Sequence, residues 1–387
     1  MMFANAQLEK LLDYLAETLD PGRQAQVEEL HRRVLEWEPV ERLPVVMQYP
    51  LPEEVSDNMP FRPYPHSEIF ADPAKMLFNE LLHAFDTSIA CRGMIDDDLP
   101  CTVRANFGTV IIASLFGGRV EQVEENPPWV RHFDSLDEFR RAMDTDPTDL
   151  SRGWCPRVVE TYQFYAEALT EHPELREMIS VVLPDLQGPI DNVDMLRGTE
   201  FFTDFYNDPE MVAHALEQAA TAQIAFARHL APYLSDGPEG YCHQHTVLMP
   251  GNVLIRNDSS IMLSPEMYRE RVAPHDERVL CELGGGGIHC CGKIEHNLGE
   301  FLAVPGCGCL DLGQPEMNDI DKLYAQAAGH GPNGSRKTPI IRLRVDRQEL
   351  TSGSVMQRFP TGVSLMHQAQ SLADAQETMA AYRRACE

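Results

Sequence analysis

Positive charge is scarce in this chain, with 32 Lys and Arg against 60 Asp and Glu and a formal net charge of -28. A surface of that sign repels phosphate backbones and anionic lipid, which argues against nucleic acid or a membrane surface as partner. No stretch approaches the roughly 18 consecutive apolar residues that a membrane span needs. The N-terminus lacks the basic region and unbroken apolar run of a signal peptide, so a cytoplasmic protein is expected. There is no Gly/Ser-rich linker, no low-complexity tract and no repeat of 20 to 50 residues. Phosphate-cradling P-loops, a GxGxxG after a strand, a GxSxG elbow and an HExxH helix are also missing, and the glycine run at 284–287 has no lysine directly after it.

What is present suits a large core, since 43% of the 387 residues are hydrophobic and 8% are aromatic. Leu8, Leu11, Leu12, Leu15 and Leu19 recur at helical spacing with charges between them, which predicts an amphipathic N-terminal helix. A second helix is expected from about Gln24 to Trp37, then a strand over 42–48, a proline-rich loop between Tyr49 and Ser67 and a helix from Pro73. Farther on, short apolar runs alternate with amphipathic stretches. Strands are expected at 180–184, near 240–248, and at 286–289, 308–312, 338–343 and 362–365. Helices are expected at 156–171, 191–206, 209–232, 265–283, 294–302, 319–328 and 371–384. Repeated βα units predict an α/β fold with a single TIM-type (β/α)8 barrel over 41–387, preceded by a helical extension over 1–40. The active site of such a barrel lies at the C-terminal ends of its strands.

Polar residues just after predicted strands are therefore the ones to weigh. Asp185 and Gln187 follow Val181-Val-Leu-Pro184, and His243, His245 and Asp258 lie in or after the next segment. Gln314 and Glu316 follow Gly308-Cys-Leu-Asp-Leu-Gly313, and His367 ends Gly362-Val-Ser-Leu-Met366. The run Gly284-Gly-Gly-Gly-Ile-His-Cys-Cys-Gly292 holds an imidazole and a thiol two positions apart. In an extended backbone residues i and i+2 share a side, so His289 and Cys291 can hold one soft cation while Cys290 faces away. Zinc suits that pair, and Cys309, Cys307, His296, His245, His367 or Glu316 could complete the site. The ordinary alternative is a histidine bonded to backbone beside two buried thiols. The ten cysteines are expected to be free, because a reducing cytosol keeps thiols reduced. Ser264-Pro265 reads as a helix N-cap, whereas no turn or cap role accounts for Asp258. Asp96, Asp97 and Asp98 read as a solvated turn or, alternatively, as a general acid.

Several segments in order resemble the uroporphyrinogen decarboxylase superfamily, which includes decarboxylases and zinc methyltransferases that move methyl groups between corrinoid proteins and thiols. They are Arg42-Leu-Pro-Val45, Asn106-Phe-Gly-Thr109, Leu186-Gln-Gly-Pro189, Leu196-Arg-Gly-Thr-Glu200, Asp208-Pro-Glu210, Asp258 with Leu263-Ser-Pro-Glu-Met-Tyr268, His289-x-Cys291-Gly292 and Gln314-Pro-Glu316. The resemblance implies a (β/α)8 barrel and matches His289 and Cys291 to the zinc pair of the methyltransferase branch. That branch takes a third ligand from a C-terminal cysteine, and His367 lies near the corresponding place, with Cys309 the substitute on chemical grounds. Where the family's decarboxylases carry arginines for a substrate of many carboxylates, this chain has Val46-Met-Gln-Tyr-Pro-Leu51. The expectation is thus a methyltransferase acting on a small molecule, with zinc on His289, Cys291 and His367 (or Cys309). Asp258 and Glu316 would be catalytic, and Asp185, Gln187, His245 and Gln314 would bind substrate. A corrinoid protein is the expected methyl carrier. A metal-free decarboxylase using an Asp acid and a non-catalytic binding protein on the same scaffold are the alternatives.

Overall fold

A computed structural model describes residues 5–50, 61–82, 89–91, 94–123, 126–235, 237, 239–244, 246–329 and 337–387. Helix α1 (Ala6–Thr18) begins where the Asn5 side chain accepts from the Gln7 and Leu8 amides, and it buries Leu8, Leu11, Leu12 and Leu15. Helix α2 (Pro21–Leu35) starts at an Asp20 cap with proline in its first turn. The leucines of α1 belong to the same apolar cluster as the strands, so this extension shares the main core.

The strands in chain order are β1 (Val45–Gln48), β2 (Thr102–Val103), β3 (Arg119–Glu121), β4 (Trp129–Arg131), β5 (Ser180–Val181) and β6 (Tyr241–Gln244). They continue with β7 (Val247–Pro250), β8 (Val253–Arg256), β9 (Gly286–Cys290), β10 (Cys307–Leu312), β11 (Ile340–Arg344) and β12 (Val363–Gln368). Six form one sheet in the order β1-β12-β11-β10-β9-β8, and every neighbouring pair in it is parallel. β2 and β5 form a second parallel pair, while β3-β4 and β6-β7 are antiparallel hairpins. Helices connect the parallel strands, giving an α/β architecture that fits a TIM-like fold. No helix among the described residues is long and apolar enough to cross a membrane.

Alternation along the strands separates two environments. Val253, Ile255, Ile288, Leu310 and Leu312 join the large core under the helices. Leu254, Cys309 and Ile341 point the other way and pack with Leu35 and with Val247, Leu248 and Met249 of the β6-β7 hairpin. Gly287 sits between these layers, where an added Cβ would lie 2.6 Å from Cys309 Sγ. The glycine run thus permits close packing of β9 against β8 and β10.

Three expected elements differ from the structure. The strand near 240–248 is a hairpin, and the parallel strand comes later at β8, because Gly251 (φ +76°) turns the chain after Pro250. The helix over 265–283 is two, Pro265–Arg271 and Ala273–Glu282, divided just before Pro274, whose ring cannot continue a helix interior. The helix over 191–206 also divides, at Gly198 (φ +73°), into Pro189–Arg197 and Phe201–Asn207.

Candidate metal centre

β9 remains extended through Cys290, so His289 and Cys291 emerge on one side. β8 runs beside it with Arg256 opposite His289, and the chain leaves β8 through a 3-10 turn that starts at Asp258. That register sets Asp258 against Cys291, whose amide donates to Asp258 Oδ1 at 2.7 Å. His289 Nε2 lies 3.5 Å from Cys291 Sγ and 3.5 Å from Asp258 Oδ1. One ligand atom from each of Asp258, His289 and Cys291 falls within 4.8 Å of the others. Metal bonds of about 2.0 to 2.3 Å at tetrahedral angles place ligand atoms about 3.3 to 3.6 Å apart, so the two measured separations fit zinc. Gly313 leaves room for the thiol, since a Cβ there would lie 2.5 Å from Cys291 Sγ.

A second layer holds the first. His289 Nδ1 lies 2.8 Å from Asp311 Oδ2, which leaves Nε2 for a metal, the arrangement that orients ligating histidines generally. Asp311 is also paired with Arg342. Burial works against ionisation of Asp311, but Arg342 and His289 outweigh it and hold the carboxyl below its usual range. One strand to the other side, Arg256 donates to Asp185 Oδ1 at 3.0 Å, and the Gln187 side chain donates to the same oxygen at 2.8 Å. Burial likewise opposes ionisation of Asp185, while Arg256 and Arg104 lower its pKa overall. Arg256, His289, Asp311 and Arg342 thus form a row across β8 to β11, and Asp185, in the loop after β5, extends it beyond Arg256, so the charges alternate in sign around the imidazole. Beneath Asp258, the buried Asp191 carboxylate accepts from the Asp258 amide at 2.9 Å and the Ser259 amide at 2.8 Å. Burial and the neighbouring Asp258 push Asp191 up to about 8. Burial and Asp258 also push the Cys291 thiol up to about 12.

The other expected residues are placed as follows. Cys290 turns away, with Sγ on Asn257 O at 3.2 Å. His367, the favoured third ligand, belongs to the opposite face of β12 from Ser364 and Met366, with Nδ1 on Val345 O at 2.9 Å, and it lines a separate cavity. Cys309 is buried in the cluster under the β6-β7 hairpin, and Cys307 lies in the main core. Neither His367 nor a second cysteine joins the triad; the carboxylate of Asp258 holds the third place. Glu316, exposed, lines the cavity of His367, while Gln314 and His296 are exposed. His245 lies outside the described residues. Asp185 and Gln187 are buried together, Gln187 in a left-handed conformation (φ 57°).

Asp97 and Asp98 are not a solvated turn. Asp98 accepts from Arg42 at 2.8 Å and from the Val45 amide at 3.0 Å, and Asp97 accepts from the Met47 amide at 2.8 Å. These carboxylates anchor the start of β1, at the other end of the strands from the triad. All ten cysteines are free. Asp311, Arg342, Asp191 and Arg256 were not expected. The signal for two of them was a charge inside an apolar strand run, Cys309-Leu-Asp-Leu312 and Ile340-Ile-Arg-Leu343.

No family model matches the chain, and no curated protein matches it in sequence. Among solved structures it is similar to a methyltransferase from Methanosarcina mazei, with a TM-score of 0.61 and 15% sequence identity over 93% of this chain and 98% of that one. At that identity the likeness is one of fold.

Proposed function

We propose that the chain is a zinc-dependent methyltransferase of the uroporphyrinogen decarboxylase superfamily, acting on a small thiol. The observation that carries this reading is the convergence of carboxylate, imidazole and thiol at zinc-compatible separations, with the imidazole held from behind by Asp311. The fold shared with a protein named as a methyltransferase supports it. A closed (β/α)8 barrel is part of the proposal. Six parallel strands in one sheet and two in the other follow chain order. Main-chain bonds from Asp98 N to Val45 O (2.8 Å) and Gly188 N to Arg256 O (2.7 Å) reach across the two gaps.

Zinc held by Asp258, His289 and Cys291 would keep a substrate thiol as a nucleophilic thiolate at neutral pH. Asp311 takes the His289 Nδ1 hydrogen bond, so Nε2 stays the free ring nitrogen, and Arg342 keeps Asp311 charged. Asp191 fixes the backbone that carries Asp258. Asp185, Gln187 and Arg256, one strand away, orient the substrate. The methyl group comes from a corrinoid protein or a small methylated compound. Exposed Ile261, Met262 and Met317, on the turns that leave β8 and β10, suit contact with such a donor. Free cysteines throughout fit a reducing cytoplasm. Asp97 and Asp98 are committed to β1, and Asp96 is paired with Arg23 and Arg383, so the segment 96–98 offers a metal-free decarboxylase no unpaired acid.

The test is metal analysis of protein purified without chelator, followed by methylcobalamin demethylation with a panel of small thiols. One zinc per chain and thiol-dependent demethylation, both lost in His289→Ala, are expected. A chain that takes up no zinc when supplied with it defeats the reading.

A further inference from the structure

We infer that the cavity at the ends of β10, β11 and β12 binds a small zwitterion, a molecule bearing one carboxylate and one ammonium group. The cavity has a volume of about 500 Å³, within the range of small-molecule sites, and none of Asp258, His289 and Cys291 lines it. The inference is therefore independent of the metal reading.

Most charged groups around the cavity already have partners. Arg358 is bonded to Asp321 at 2.6 Å and to Glu349 at 2.8 Å. Arg347 is paired with Asp374 at 3.1 Å, and Asp346 caps its own helix through the Glu349 amide at 2.8 Å. Two opposite charges remain without a side-chain bond, while Asp346, bonded only to an amide, keeps its negative charge. Arg344 and Glu316 both line the cavity, and neither forms an ion pair with the other or with any described residue. Exposed charges without partners are common, so these two alone would decide nothing.

His367 makes this a built site. It is only 6% exposed, and its Nδ1 bonds the carbonyl of Val345 at 2.9 Å. A carbonyl can only accept, so Nδ1 carries the hydrogen, and Nε2 is left as an acceptor with no partner among the described residues. The cavity wall thus offers one cationic donor, Arg344, and two acceptors, Glu316 and His367 Nε2. An anion would be drawn to Arg344 and repelled by Glu316, and a cation the reverse. A zwitterion satisfies both, with its carboxylate on the guanidinium and its ammonium shared by the carboxylate and the imidazole. A wall residue, Asn318, is fixed by its side-chain bonds to Gly292 O at 2.9 Å and from the Ile294 amide at 2.9 Å, so this face is held in place before any ligand arrives.

The experiment is calorimetric titration of the full chain, in chelator, with amino carboxylates from glycine to 6-aminohexanoate, and with butanoate and butylamine as single-charge controls. Saturable binding of at least one zwitterion is expected, with both controls weaker by about tenfold or more. Arg344→Gln and Glu316→Gln, changes at exposed positions that leave the fold intact, should each weaken that binding by about tenfold or more, and His367→Phe should do likewise. Absence of saturable binding across the series overturns the inference. So does a control that binds as tightly as the best zwitterion, or unchanged binding in Arg344→Gln.

Discussion

Replacing Asp311 by asparagine removes one charge from the second layer and leaves the three proposed ligands untouched. Two consequences follow, and they can be measured separately. Asp311 is 1% exposed and its partner Arg342 is 17% exposed, so the substitution takes a carboxylate partner from a guanidinium that is mostly out of water. Breaking a buried pair on one side costs about 3 to 5 kcal/mol, and the residual exposure of Arg342 puts the expected loss near the lower figure. The second consequence is at His289, whose Nδ1 loses a carboxylate acceptor 2.8 Å away. Loss of such an outer partner typically lowers metal affinity about 10- to 100-fold. Urea unfolding in chelator reads the first effect, and competition for zinc against a chromophoric chelator reads the second. The double change Asp311→Asn with Arg342→Met should recover stability, because the guanidinium that lost its carboxylate is removed as well, without recovering zinc affinity. Asp311 has its pKa held below the usual range, so its stabilisation is complete above the unfolded value of about 3.9 and fades as pH falls through the folded one. The stability gap between wild type and Asp311→Asn should therefore narrow in acid. A folded Asp311→Asn chain with normal zinc affinity, or a double variant that regains both properties, refutes the reasoning.

Cys291→Ser should lower zinc affinity by about tenfold or more, while Cys290→Ser should leave it near normal, because Cys290 Sγ is directed to Asn257 O rather than to the triad. Equal losses, measured by the same competition titration, would show that β9 is not extended there. A second prediction concerns Asp276, fully buried, with Tyr268 and Asn257 donating to one carboxyl oxygen, and pushed by burial up to about 7. A raised folded pKa gives stability that is complete below the unfolded value of about 3.9 and declines by roughly 1.4 kcal/mol per pH unit until about 7. Urea midpoints between pH 5 and 8 should therefore depend less on pH in Asp276→Asn than in wild type, and parallel curves would contradict this.

Residues close in sequence were legible where strand alternation alone fixes them. His289 and Cys291 share a side and Cys290 does not, and that follows from two-residue periodicity once β9 is recognised. Asp258 stood out because no cap or turn explains it, yet its place beside Cys291 depends on the β8-β9 register, a non-local fact. The hairpin that precedes β8 masks that register further. The hairpin residues 241–250 are apolar enough to read as the core strand, and only the turn after Pro250 shows that Val253–Arg256 is the parallel one. His367 lies apart from the triad for a reason of parity, because it shares a face with Leu365, which packs in the helical core. Asp311 and Arg342 lie inside strands, where a rule that weighs the residues following strands does not reach. A charge inside an apolar strand needs a buried partner, and here two such charges on neighbouring strands supply each other.

A carboxylate in the third place changes the electrostatics of the centre in a way a histidine would not. Asp258 and a deprotonated Cys291 carry two negative charges, which offset a divalent cation, while His289 stays neutral. A His289, Cys291 and His367 set would have left one positive charge. Neutrality matters because the neighbouring carboxylates are already committed, Asp185 to Arg256 and Asp311 to Arg342, so neither is free to balance a surplus positive charge. The same geometry makes the metal-free centre self-opposing. With Asp258 2.7 Å from its own amide, Cys291 retains its proton to about 12 through burial and that carboxylate. In the proposed centre a zinc ion would therefore have to displace the thiol proton on binding. Its affinity would then fall as pH drops, while the backbone bonds from Asp258 and Ser259 to Asp191 hold the Asp258 carboxylate in register without it.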